Sequence, residues 1–277
     1  MNAQPGARIE PGDPQQQTGD ATVMKWMAAA SPRRWARIAG GLYLINIVGG
    51  FFAIGYVPAA IVVPGDAAAT AHNLLAHELL YRLGLVAHLI TLLTNIPLAV
   101  IFYDLFKVVN RRLALLVVFF TLVGTAVEGA NLFNQFTPLQ LLGGGHSLSG
   151  FTPAQVQALA YIPLDPQAIG YNIQQVIYTG YLLTAGYLIF RSTFLPRIVG
   201  VLLALGGMCY LTYSFADVLA PEFAAHLVPY IQVPSGLGEL SLCLWLLVMG
   251  VNVSRWEEQA SKASEPDQRV PGRVAVG

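Results

Sequence analysis

From Ile38 to Val63 not one side chain carries a charge. A helix needs about 20 predominantly apolar residues to cross the ~30 Å hydrocarbon layer of a bilayer, and this run is long enough. In lipid every backbone N–H and C=O must be satisfied internally, which leaves only helices and closed barrels. Five further apolar runs follow, and none alternates with the two-residue period of barrel strands. Spans are expected at residues 36–58, 83–106, 112–136, 171–192, 196–219 and 235–253. Composition agrees: 11% of the residues are charged, against about 25% in a soluble domain. The expected fold class is all-α, a polytopic transmembrane helical bundle of six spans.

Three regions are expected. Residues 1–32, rich in Pro, Gln, Gly and Asp, read as a disordered tail that passes into a membrane interface. There Trp26 and Trp35 mix with Lys25, Arg33 and Arg34, as they do at headgroup level. Residues 33–255 form the membrane domain, and 256–277 a polar, disordered tail. The first span is expected to be retained, since its apolar run exceeds the core of a signal peptide. Between spans, Asp66 is placed to cap a surface helix, and Thr152-Pro153 to open a short one.

All but one of the 15 Lys and Arg fall in the N-terminal tail, the 107–112 and 191–197 turns, or the C-terminal tail. Arg82 is the exception. The positive-inside rule then sets both termini in the cytoplasm, in a multi-pass protein of the cytoplasmic membrane.

The polar residues inside the spans are few and patterned. Glu128, Asn131 and Gln135 share one face of span three, His88, Thr91 and Asn95 one face of span two, and Tyr210, Ser214 and Asp217 one face of span five. At ~1.5 Å per residue, Glu128 lies ~24 Å from the cytoplasmic start of its span, Glu239 ~7 Å below the outer edge, and His88 ~9 Å below Arg82. Ionisable groups at membrane depth face the bundle interior and mark sites. Glu128, Glu239, His88, Arg82, Asn131, Gln135, Asn95 and Asp217 therefore form a candidate outward-facing pocket for a ligand. The plain alternatives are specific. Glu128 could act as packing glue between helices, Glu239 could sit at a helix N-terminus, and Arg82 could pair with Glu78 one turn away.

Other chemistries find little footing. Net charge is zero, which argues against nucleic acid. The five histidines, 72, 77, 88, 146 and 226, lack ligand spacing, so no metal is expected. "GGGHSLSG" has no Lys-Ser/Thr and follows no strand, so it is no phosphate loop, and no cofactor is expected. Cys209 and Cys243 read as small buried apolar groups.

Several stretches taken together carry a resemblance: "ARIAGGLYLI", "VVPGDAAATAHNLLAHELLYRLG", "GYLIFRSTFLPRIVGVLLALGG" and "GELSLCLWLLVMGVN". Over residues 33 to 255 the chain resembles the bacterial domain-of-unknown-function family numbered 4386. The resemblance implies a multi-span bacterial membrane protein without an assigned biochemical role, and it transfers no catalytic residue. An Arg frequent in that family early in span three is replaced here, where Thr121 stands.

Three functions stay open at this point. One is handling of a small solute or ion in the outer pocket. A second is a structural or regulatory role, binding a partner helix or a lipid. The third is an intramembrane enzyme of the outer leaflet with Glu128 and Glu239 as acid and base. The expected partners are the bilayer, a small-molecule or lipid ligand, and a second copy of the chain.

Overall fold

The computed structural model describes residues 31–143, 148 and 150–264. The N-terminal tail and His146 lie outside them. Among the described residues every regular element is helical: α1 (Pro32–Ile61), α2 (Ala67–Ala76), α3 (Glu78–Phe106), α4 (Arg111–Leu142), α5 (Pro153–Tyr161), α6 (Leu164–Arg191), α7 (Arg197–Leu219), α8 (Pro221–Leu227), α9 (Tyr230–Met249) and α10 (Val253–Ser264). Five of these, α1, α3, α4, α7 and α9, are long and apolar enough to cross a membrane. The sixth long helix, α6, carries Gln174, Gln175 and four tyrosines in its span, which dilute its apolar character.

Local chemistry fixes the ends. The Asp66 carboxylate accepts from the Ala69 N–H at 2.9 Å and the Asn110 side chain from Leu113 N–H at 3.0 Å, each opening a helix. Thr152 and Gln155 form a reciprocal capping box ahead of α5. The helix expected after Asp66 changes direction at His77, whose ψ of 35° is not helical, so Glu78 and Arg82 belong to the first turns of α3. α6 begins at Leu164, earlier than residue 171, and within it Asn172 pairs with Asp217 of α7.

The six long helices form a ring in chain order. Each packs on the next, α1 on α3, α3 on α4, α4 on α6, α6 on α7 and α7 on α9, and α9 closes on α1. Glycines allow the closest contacts, as two seams illustrate. A Cβ on Gly200 would stand 2.5 Å from the carbonyl oxygen of Gly186, so α6 and α7 touch backbone to backbone. A Cβ on Gly40 would run into the backbone of Leu247 across the α1–α9 seam. Outward-facing side chains are apolar: Phe51, Phe133 and Leu93 are 73%, 75% and 65% exposed, as lipid-facing groups should be.

One end of the ring is basic and tightly packed. Phe102 stacks on Tyr181 and Phe106 on Phe194 in a buried cluster drawn from every long helix. Arg33 and Arg37 donate to the carbonyls of Met249 and Val248, joining the first long helix to the last. Residues 256–264, expected as part of a disordered tail, are helical instead. The Trp256 indole donates to the Leu105 carbonyl at 3.0 Å, and Gln259 accepts from Thr193, so α10 is tied across this end. Its polar sequence hid a helix held by these anchors and by Trp256 and Ala260, one turn apart, packed against the core. Residues 265–277 lie outside the described part.

Candidate functional site

A cavity of about 170 Å³ lies inside the ring, and all six long helices line it. Of the sequence-derived candidates, Glu128, Glu239, His88 and Asn95 line this space. They arrive in two groups.

The first group joins α3 and α4. His88 Nε2 lies 3.3 Å from Glu128 Oε1, and both side chains are buried. His88 Nδ1 lies 3.1 Å from the Gln135 amide oxygen, and Asn131 donates to both Glu128 oxygens. With Gln135 so oriented its amide oxygen can only accept, so Nδ1 carries a hydrogen. Nε2 then faces the Glu128 carboxyl directly, so histidine and carboxyl are each other's partners across α3 and α4. Asn95 donates to Thr125 across the same two helices at 3.2 Å.

The second group is centred on Glu239. Its Oε2 accepts from the hydroxyls of Tyr178 at 2.7 Å and Tyr43 at 3.1 Å, and its Oε1 from Tyr210 at 3.2 Å. Four helices, α1, α6, α7 and α9, thus meet at one carboxylate. Aromatic rings continue around it: Tyr178 stacks on Tyr181 with centroids 5.0 Å apart, and Phe102 meets Tyr43 edge to face. Tyr171 lies within electrostatic reach of both Glu239 and Glu128.

The remaining candidates are placed elsewhere. Arg82 is exposed and paired with Glu78 at 2.7 Å, on the surface. Asp217 pairs with Asn172 between α7 and α6. Asn131 and Gln135 stand behind Glu128 and His88; the Gln135 carbonyl also accepts the Tyr81 hydroxyl at 2.6 Å. Cys243 is buried, with its Sγ 3.5 Å from the Gly40 carbonyl, and Cys209 is half-buried. Among the described residues no three metal-ligating side chains converge.

Sequence reasoning missed the tyrosines. Aromatic residues in membrane helices are commonly interfacial anchors, and Tyr43, Tyr178 and Tyr181 pass for such. A signal was present nonetheless: Tyr171, Gln174, Gln175 and Tyr178 recur at helical spacing and define one polar face of α6.

A family model described as a domain of unknown function, DUF4386, matches residues 38–250. The chain belongs to that family. No curated protein and no solved structure matches it. With the apolar helices described above, this DUF4386 chain is a polytopic helical membrane protein.

Proposed function

We propose that this DUF4386 protein resides in the bacterial cytoplasmic membrane with both termini in the cytoplasm, and handles a small solute in the cavity enclosed by its six long helices. The observation that carries the reading is the cavity itself. Two carboxylates, a histidine and a set of tyrosines are drawn from six helices to one space. Ionisable groups are costly at membrane depth and persist where they serve a site. The orientation is supported by charge: Arg33, Arg37, Arg111, Arg112, Arg191 and Arg197 flank helix ends that the packing gathers at one end of the bundle.

The test fills the cavity. Thr125 lines it from α4, and Thr125→Phe removes volume without removing a charge. Purified protein in nanodiscs is screened by thermal shift against cationic, anionic, zwitterionic and neutral solutes of up to about ten heavy atoms. At least one class is expected to stabilise the wild type and leave the variant unmoved. If no class does so, the solute reading fails.

A second reading has one observation in its favour. The His88–Glu128–Gln135 set is satisfied by protein groups alone, as a structural tie between helices would be. In that case the Glu128 variants alter stability and no solute response.

A further inference from the structure

The charges lining the cavity do not balance, and the imbalance names a ligand class. Two carboxyl groups line the space, and among the described residues no lysine or arginine does. Glu128 has the His88 imidazole as its partner. Glu239 is met only by hydroxyls, from Tyr43, Tyr178 and Tyr210, which are uncharged donors. A carboxylate carries about four acceptor positions, and three are taken, so little capacity remains for further N–H donors. The surrounding surface is aromatic, from Phe102, Tyr178, Tyr181 and Tyr210. Aromatic faces attract cations, and quaternary ammonium groups are typical occupants of such cages. Tyr181 is buried at the same cavity, with Tyr43 beside its hydroxyl.

Resting on the solute reading above, we propose that the cavity takes a small organic monocation, a tertiary or quaternary ammonium, with Glu239 as its counter-charge and the tyrosine rings as its walls. Of the two carboxyl groups only Glu239 lacks a basic partner, and one such acid matches one monocation. The nearly saturated carboxylate favours an alkylated nitrogen over a primary ammonium, which brings three donors. The volume, about 170 Å³, is close to that of an apolar cavity known to hold benzene, about 150 Å³, so the ligand has roughly six to ten heavy atoms.

The experiment uses the full chain in nanodiscs and two probes of nearly equal shape: choline and its neutral isostere 3,3-dimethylbutan-1-ol. Binding is read by calorimetry. Choline is expected to bind saturably and at least tenfold more tightly than the neutral alcohol, and Glu239→Gln is expected to abolish that preference. If Glu239→Gln does not fold, competition decides: tetramethylammonium displaces choline from the wild type, and sodium at the same concentration does not. Equal binding of the two probes, or equal displacement by sodium, overturns the cation assignment and leaves the solute reading standing. Failure of both probes to bind overturns the cation assignment, while the broader solute panel still decides the reading beneath it.

Discussion

Glu128 and Glu239 face the same cavity and are held in opposite ways. Glu128 ties two helices adjacent in the chain, with the His88 imidazole at one oxygen and the Asn131 amide donating to both. Glu239 joins four helices, and its partners lie 196, 61 and 29 residues away in sequence. The first is a local pair with its own counter-charge. The second is a hub whose donors are all neutral. A carboxylate inside a membrane bundle can therefore be tolerated by pairing it or by surrounding it with hydroxyls, and only the second solution leaves a charge to be answered from outside.

The contrast predicts unequal losses of stability, read from unfolding of the purified protein against rising SDS. Glu239→Leu is expected to cost most, about 3 kcal/mol, because the hydroxyls of buried Tyr43 and half-buried Tyr178 and Tyr210 lose their acceptor, at about 1 kcal/mol each. A loss under about 1 kcal/mol would mean that the hydroxyls re-pair and that the hub carries little.

Glu128→Leu comes next, at about 2 kcal/mol, since His88 Nε2 loses its partner and the Asn131 amide loses its acceptor on Glu128. Here the pairing can be undone cleanly. His88→Leu combined with Glu128→Leu is expected to recover much of that loss, since removing both partners of a buried pair is often nearly neutral. If the double variant is as unstable as the sum of the two single ones, the pair is not the unit described here.

Trp256→Phe keeps a ring and removes one hydrogen bond to the Leu105 carbonyl. It is expected to cost about 1 kcal/mol and to leave solute responses unchanged, which separates the basic end from the cavity. Arg82→Ala marks the lower limit. Its exposed pair with Glu78 is worth about 0.5 kcal/mol or less, and a larger effect would return Arg82 to the site.

Much of this was legible in the chain. Apolar run length determines helices in lipid almost without competition, so all six long helices stand near their expected positions. The caps at Asp66 and Thr152 follow from local chemistry and were equally readable. So was the shared face of Glu128, Asn131 and Gln135, since helical spacing alone aligns them. The Glu239 cage was not readable, because it depends on which helices become neighbours. Tyr43 and Glu239 come together only through closure of the ring, and nothing local to either residue encodes that. Arg82 illustrates the converse error: similar depth was read as proximity, whereas its nearest opposite charge lay one turn back. The helix after Val253 escaped notice for a related reason, since its anchors, Trp256 and Gln259, act on distant turns.

The α1–α9 seam bears on how such a chain must be made. Gly40 against Leu247, and the two arginines on the carbonyls of Met249 and Val248, join segments more than 200 residues apart. During synthesis from the N-terminus, α1 enters the membrane long before its second neighbour exists. Tyr43 has no carboxylate to meet until almost the whole domain has been inserted. The cage is thus completed only when α9 joins the bundle. A copy cut short before residue 239 would carry the tyrosines without the carboxylate they meet.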